Sequence, residues 1–236
     1  MRAYCDLHLH SCLSPCADAE MTPYNLVNLA KLQGYDVIAL TDHNSILNCP
    51  AAMQVGREIG LTVLPGMELC TAEEIHVICL FAQWENAETF AELAAQGMPQ
   101  IPNRPEIFGE QTVVDARDNV LARHEPLLTL ASAIPLEGLP ALVREYGGAC
   151  FPAHIDRPSY SIIASLGTIT PEMGFSAAEF ADEKNIPDFS ERFPILKKIR
   201  LLHNSDAHSL PEMREPKAFL ELPECTAQAV VDYLSK

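Results

Sequence analysis

The sequence predicts an α/β fold in which strands alternate with helices, arranged as a parallel sheet or a barrel. Three observations support this prediction: short apolar runs recur, helical patterns lie between them, and histidines follow the ends of several runs. The runs that are typical of strands span residues 3–7, 36–40, 61–64, 76–81, 149–153, 177–180, 200–203 and 218–222.

Helix signals fill the segments between these runs. Thr22 followed by Pro23 is a favourable pair for an N-cap and a first helical position, and it predicts a helix over 24–33 that ends at Gly34. Further helices are predicted for residues 49–59, 135–146 and 225–234.

Residues 84–135 interrupt the alternation, because they read as mostly helical around a proline-containing loop at 98–105. We therefore expect a single barrel domain over residues 1–236 that carries a mainly helical insertion at about 84–135.

The composition points to a cytoplasmic protein. The chain has 236 residues, 48% of them hydrophobic, which is enough for a sizeable core. We find no signal peptide and no apolar run long enough for a membrane span, so no membrane partner is expected. The eight cysteines are expected to be reduced thiols rather than disulfides.

The charge balance is strongly acidic, with 32 acidic and 16 basic side chains and a net charge of −16. No stretch of the chain is basic. Because binding to a polyanion depends on clustered lysine and arginine, we expect no long nucleic acid among the partners.

The segment Asp6-Leu7-His8-Leu9-His10 contains the first candidate metal ligands. Alternate residues of an extended segment share one face, so Asp6, His8 and His10 point to the same side. A divalent ion satisfies buried imidazoles well, and this pattern therefore predicts part of a metal site.

Other histidines and acids lie at the ends of predicted strands. Active sites of α/β barrels form at the carboxyl ends of their strands, so these residues are expected to converge there. They are His43 after the second strand, Glu68 after the third, His76 at the start of the fourth, His154 after the fifth, and Asp206 and His208 after a later strand.

Six motifs together resemble the polymerase-and-histidinol-phosphatase (PHP) superfamily of metal-dependent phosphoesterases. They appear in the family's order along the whole chain: DLHLHS at 6–11, ALTDHNS at 39–45, PGMEL at 65–69, the His76 segment, AHIDRP at 153–158 and NSDAHS at 204–209. The resemblance implies a distorted (β/α)7, TIM-like barrel with a two- or three-metal cluster at the carboxyl ends of its strands.

The resemblance also implies a ligand set for these ions. His8, His10, Glu68 and Asp206 would hold a first ion, while Glu68, His76 and His154 would hold a second. His43 and His208 would hold a third together with a residue of the loop at 14–18. Alignment of the following helix favours Asp18 for that position, whereas counting from His8 selects Cys16.

Such a cluster implies hydrolysis of a phosphoester. Two ions about 3.5–4 Å apart lower the pKa of a bridging water and clamp the phosphoryl oxygens, so that a metal-bridging hydroxide attacks phosphorus. The candidate catalytic residues are Glu68, Asp206, His208 and Arg157, the last as a bidentate phosphate ligand or, alternatively, a structural ion-pair residue. Zn²⁺, Mn²⁺ and Fe²⁺ all accept mixed imidazole and carboxylate ligands.

Three acidic residues are candidates for supporting roles. Asp6 is expected to orient an imidazole rather than to bind metal. Asp42 either orients His43 or caps the next helix, and Glu179 either lies near the metals or pairs with Arg157.

The predicted function is hydrolysis of a small phosphorylated metabolite or nucleotide. The alternatives are a 3′–5′ exonuclease acting on short oligonucleotides and a non-catalytic metal-binding regulatory module. An amidohydrolase-like barrel is less favoured, because no lysine lies at a matching strand end. The sequence does not predict an oligomeric state.

Overall fold

The structure, a computed structural model, describes residues 1–236, and all eight predicted strands are present in it. In chain order the strands are β1 (Arg2–Asp6), β2 (Val37–Leu40), β3 (Thr62–Cys70), β4 (His76–Phe81), β5 (Thr112–Val114), β6 (Val120–Arg123), β7 (Gly148–Pro152), β8 (Ala177–Glu179), β9 (Arg200–Leu202) and β10 (Phe219–Glu221).

The strands curl into a distorted barrel. One sheet has the order β10-β1-β2-β3-β4-β7, and β8 and β9 form a separate parallel pair. Backbone hydrogen bonds place this pair between β7 and β1. Ile155 N–H donates to Glu179 O at 2.8 Å, Asp206 N–H donates to His8 O at 3.0 Å, and His10 N–H donates to Ala207 O at 3.1 Å. The predicted TIM-like fold is therefore confirmed, with β1, β2, β3, β4, β7, β8 and β9 around the barrel.

Strand β4 runs opposite to its neighbours, and this reversal explains the position of His76. A short connection joins β3 to β4 as an antiparallel pair, in which Cys70 lies opposite His76. Strand β4 also pairs antiparallel with β7, where Val77 lies opposite Pro152. The first residue of β4 consequently lies at the same barrel edge as the last residues of β3 and β7.

Strand β3 extends further than predicted. It continues to Cys70, so Glu68 lies inside the strand rather than after it, opposite Ile78 of β4. Pairing with β4 on one side and β2 on the other provides hydrogen-bond partners that carry the strand past Pro65.

The helices confirm most of the predicted segments. Helix α1 (Pro23–Gln33) begins where Thr22 Oγ1 accepts a hydrogen bond from Asn25 N–H at 3.2 Å, and it ends at Gly34 with φ of 92°. The remaining helices are α2 (Cys49–Ile59), α3 (Trp84–Gln96), α4 (Pro105–Phe108), α5 (Leu139–Glu145), α6 (Ile162–Leu166), α7 (Ile186–Arg192) and α8 (Ala227–Leu234).

Helix α5 is shorter than the predicted 135–146, because Gly138 precedes it in the left-handed region at φ of 75°. Helix α8 begins two residues later than predicted, since Thr226 is its N-cap.

The segment 84–135 differs from the mainly helical prediction beyond Gln96. Only α3 and the single turn of α4 are helical there, and β5 and β6 form a two-stranded antiparallel sheet. The turn between them is closed by Asp115, whose Oδ1 accepts hydrogen bonds from the backbone N–H groups of Arg117 and Asn119. The run of β-branched residues at Thr112–Val114 favours a strand.

Both faces of the main sheet are buried. Along β2, Val37 and Ala39 belong to one apolar cluster and Ile38 and Leu40 to another. This arrangement is typical of a sheet covered on both sides, and it holds the strand ends rigidly. None of the helices combines the length and the apolar character that a membrane span requires.

Candidate metal centre

Four predicted ligands meet at the carboxyl ends of β1, β3 and β9. His8 Nε2 lies 3.1 Å from His10 Nε2 and 3.1 Å from Asp206 Oδ1. His10 Nε2 lies 3.2 Å from the same oxygen. The Glu68 carboxylate completes the group, at 3.3 Å from His8 Nε2 and 3.4 Å from His10 Nε2.

These separations fit a metal ion. Ligand atoms about 2.0–2.1 Å from a tetrahedral centre lie about 3.3 Å from one another. Two imidazole nitrogens that face each other at 3.1 Å need a cation between them or a proton on one of them. In addition, Asp206 Oδ1 is buried and accepts no regular hydrogen bond. The donor set therefore suits a divalent ion.

Glu68 is the centre of the whole cluster. Its Oε1 lies 2.9 Å from His76 Nδ1 and 3.1 Å from His154 Nε2, and its Oε2 lies 2.9 Å from His43 Nδ1. Burial raises the pKa of Glu68, but the imidazolium charges of His76, His8 and His43 and a hydrogen bond from His154 outweigh burial and hold that pKa well below its usual range. A carboxylate surrounded in this way is able to bridge two ions.

A third group of ligand atoms comes from His10, His43 and His208, which lie within 4.8 Å of one another. His43 also belongs to a group with Glu68 and His76. The structure thus places His43 between two possible ion positions, whereas the sequence assigned it only to the third ion.

Cys16 and Asp18 are the two candidates that the loop after the first motif offers to this third group, and both are exposed. Burial raises the pKa of Cys16, but the His208 and His43 imidazoles near its thiol outweigh burial and lower it to about 7. Asp18 is exposed, and only its backbone is bonded, through its N–H to His208 O at 2.8 Å. Neither side chain belongs to the groups of ligand atoms described above, so the assignment of this position to Asp18 stays a prediction, with Cys16 as the alternative.

In three of the imidazole rings, the Nδ1 atom has a hydrogen-bond partner that fixes the orientation of the ring. His8 Nδ1 contacts both oxygens of Glu179, at 3.0 and 3.1 Å, so its Nε2 is left with the lone pair. His10 Nδ1 donates to Ser14 Oγ at 3.0 Å. His208 Nδ1 donates to the carbonyl of Asp206 at 2.9 Å. In each ring the nitrogen that is free to bind an ion is Nε2.

The sequence misassigned two of the three supporting acids, Asp6 and Asp42. Asp6 contacts no imidazole; its Oδ1 accepts hydrogen bonds from the backbone N–H groups of His8 and Ser205. Asp42 neither orients the His43 ring nor caps a helix, since it accepts hydrogen bonds from Ser11 N–H and Oγ and from Ser14 Oγ. It thereby anchors the loop that carries Ser14 and Cys16.

Arg157 and Glu179 do not pair with each other. Arg157 Nη2 lies 2.8 Å from Asp206 Oδ2, and 45% of its side chain is exposed. Glu179 accepts from His8, from the backbone N–H of His154 at 3.1 Å and from Asn204 Nδ2 at 2.6 Å. Ser14 and Asn204 are the supporting residues that sequence reasoning missed. Only their places in the sequence pointed to them, since Ser14 follows the DLHLHS motif by three residues and Asn204 begins NSDAHS.

Strained backbone lies at the ligand positions. His154 and Asp206 have φ values of 30° and 50°, in the left-handed region that residues other than glycine rarely adopt. They lie in the loops that follow β7 and β9, respectively. Such strain costs about 1–3 kcal/mol per residue and is typical of functional sites.

The fold and this centre together define an α/β barrel with a buried cluster of side chains that are able to bind metal ions. The PHP domain matches residues 6–168, and the chain belongs to this family. A 78-residue segment is 37% identical to a 5′-3′ exoribonuclease of Haemophilus influenzae; it covers 32% of this chain and 27% of that protein.

Solved structures show the same fold at low sequence identity. The lesion-specific endonuclease EndoQ of Pyrococcus furiosus aligns over 100% of this chain and 56% of its own, with a TM-score of 0.72 and 17% identity. A putative metal-dependent phosphoesterase of Bifidobacterium adolescentis aligns over 98% of this chain and 94% of its own, with a TM-score of 0.60 and 18% identity. This chain spans 27% of the length of the exoribonuclease and 56% of the length of the Pyrococcus furiosus endonuclease.

The exclusion of long nucleic acid is wrong. A structure of Endonuclease Q in complex with a 27-mer duplex, which carries an abasic lesion at the active site, aligns over 89% of this chain with a TM-score of 0.64. The net charge misled the prediction because it counts every carboxylate, including Glu68 and Asp206, whose charges bound cations would offset. A phosphate backbone responds to the local charge near the site.

Proposed function

We propose that this chain is a metal-dependent hydrolase of phosphoester bonds in nucleic acid. The observation that carries the proposal is the arrangement of ligand atoms around the Glu68 carboxylate. The proposed ligands are His8, His10, Cys16, His43, Glu68, His76, His154, Asp206 and His208.

Divalent ions held there would activate water and offset charge on the phosphoryl oxygens. The protein's own contribution is orientation. Glu68 stays ionised between imidazoles and fixes the distance between ligand groups. Glu179 and Ser14 hold His8 and His10 with Nε2 toward the ions.

Arg157 would bind a phosphate oxygen. One of its terminal nitrogens contacts Asp206, and the half-exposed guanidinium has further N–H donors on the solvent side. A planar cation beside the cluster would align a phosphate for in-line displacement. His208 would serve as a ligand rather than as a proton donor, because its Nδ1 is committed to the Asp206 carbonyl.

Nucleic acid is favoured as the substrate class because the relatives that match this chain include an exoribonuclease and an endonuclease. A small phosphorylated metabolite is the second candidate. The alignment of a putative metal-dependent phosphoesterase of Bifidobacterium adolescentis over 98% of this chain supports it.

The test begins with metal analysis of the purified protein. Mn²⁺-loaded protein is then assayed on a phosphomonoester, on a mononucleotide and on single-stranded and duplex oligonucleotides labelled at either end. We expect cleavage of an oligonucleotide, with the labelled end reporting direction. Bound metal without hydrolysis of any phosphoester would contradict the proposal and favour a metal-binding regulatory module.

Glu68→Gln tests the central carboxylate in the same assays. It is expected to abolish turnover and to reduce metal content, because one residue serves more than one ion. Glu221→Gln, at an exposed position of β10, is the matched control and is expected to leave both unchanged.

Cys16→Ser and Asp18→Asn compare the two candidates for the third group. Loss of the true ligand is expected to lower the metal content by about one ion per chain, and we expect this for Cys16→Ser alone. The reverse result would assign the position to Asp18.

A further inference from the structure

Tyr160 presents an aromatic face beside the metal centre. Its ring stacks on the His76 imidazole with the centroids 4.7 Å apart and the planes at 25°. The residue is nevertheless 46% exposed. One face of the ring is therefore covered by a ligand of the cluster, and much of the rest of the side chain is open to solvent.

The backbone holds this ring in a strained conformation. Tyr160 has φ of 53°, which is costly for a bulky residue. Its carbonyl accepts a hydrogen bond from His76 N–H at 2.9 Å. The next residue, Ser161, accepts from Ala164 N–H and donates to the Arg157 carbonyl at 2.7 Å, which fixes the loop at the start of α6. The strain is thus maintained by a rigid loop.

The same loop carries the cation of the site. Arg157 contacts Asp206 Oδ2 at 2.8 Å, and His76, on which Tyr160 stacks, contacts Glu68 Oε1 at 2.9 Å. A phosphate-binding group and a partly open aromatic ring consequently flank one cluster of ligands. A nucleotide offers the matching pair of features, a phosphate and a flat base joined to it.

We propose that the open face of Tyr160 stacks a nucleobase next to the phosphate that is cleaved. This inference rests on the proposed function and specifies it, since it assigns the base-binding subsite. Stacking of this kind accepts any of the bases, because every base has a π-face. The subsite would therefore favour unpaired nucleotides over simple phosphoesters without favouring one sequence.

The competing explanation is that Tyr160 only supports His76. Two substitutions separate the explanations: Tyr160→Phe keeps the ring, and Tyr160→Leu removes it. Each variant is assayed on an oligonucleotide and on the same oligonucleotide with an abasic tetrahydrofuran next to the cleaved bond. We expect wild type and Tyr160→Phe to prefer the base about tenfold in kcat/KM, and Tyr160→Leu to lose that preference. An equal loss on both substrates would show support of His76 alone and would overturn the proposal.

A binding measurement keeps the test independent of turnover. Stopped-flow mixing of Mn²⁺-loaded protein with an oligonucleotide that contains 2-aminopurine is expected to quench the fluorescence of this base in wild type and in Tyr160→Phe. Quenching without cleavage would support base stacking on Tyr160 and would contradict the proposed hydrolase activity. Two results would overturn base stacking on Tyr160 even if the protein cleaves the oligonucleotide. They are absence of quenching in wild type, and full quenching in Tyr160→Leu with unchanged metal content.

Discussion

At the scale of single residues, two of the proposed metal ligands, His8 and His10, are held by side chains that are not themselves proposed ligands. The clearest case is Glu179, which accepts hydrogen bonds from His8 Nδ1, His154 N–H and Asn204 Nδ2. It thereby connects β8 to the loops after β1, β7 and β9. A neutral amide in its place would lose the charge that polarises His8 and would direct one donor toward another donor.

Glu179→Gln is therefore expected to weaken metal binding by about 10- to 100-fold. Titration of the metal-free protein with Zn²⁺ against a competing chelator measures the change. Glu191→Gln is the control, because Glu191 is also acidic but is exposed at the end of α7. Unchanged affinity in Glu179→Gln would show that Glu179 does not orient His8.

At the scale of elements, the reversed strand β4 brings its first residue to the ligand cluster. Close contact between β3 and β4 is necessary for this, and Gly66 provides it. A Cβ at Gly66 would lie 2.6 Å from the carbonyl oxygen of Cys79 and 2.7 Å from Leu80 Cδ2. Glu68 is two residues further along the same strand, so any displacement of β3 also moves the central carboxylate.

Gly66→Ala is expected to lower the free energy of unfolding by about 1–3 kcal/mol and to reduce metal content, because β3 must move away from β4. Urea unfolding and metal analysis measure the two effects. Gly60→Asn is the control, since Gly60 has a φ of 70° that asparagine tolerates and no atom within 4 Å of a Cβ. If the urea midpoint of Gly66→Ala equals that of wild type, β3 and β4 can separate without loss of unfolding free energy.

At the scale of the whole molecule, the cluster joins parts of the chain that are far apart in sequence. The proposed ligand atoms come from residues between His8 and His208, which lie on β3, on β4 and on loops after β1, β2, β7 and β9. Ions that bind only this folded arrangement stabilise the entire barrel.

Removal of the ions with a chelator is therefore expected to lower the melting temperature. Binding at a metal concentration 100-fold above Kd contributes about 2.7 kcal/mol, which corresponds to about 5–10 °C for a chain of this size. Differential scanning calorimetry with and without Mn²⁺ measures the shift, and Glu68→Gln is expected to show a smaller one. An identical melting temperature with and without ions would contradict coupling between the cluster and the fold.

Much of the fold was predictable because its signals are local. Apolar runs identified the strands, and Thr22, Pro23 and Gly34 defined helix α1. The exceptions arose where tertiary contacts decide: β3 continues past Pro65 because two strands pair with it, and Thr112–Val114 forms a strand because β6 lies opposite. The β-branched residues at 112–114 carried a strand signal that the helical reading overlooked.

The sequence by itself determined the α/β class, the family and the residue types that can bind metal, because these follow from periodicity and from ordered motifs. Only the tertiary structure decided which atoms meet. It placed His76 at the cluster by reversing β4, and it gave the orientation of His8 to Glu179 rather than to Asp6. These outcomes depend on distances between segments that are far apart in the chain, and local sequence patterns do not predict such distances.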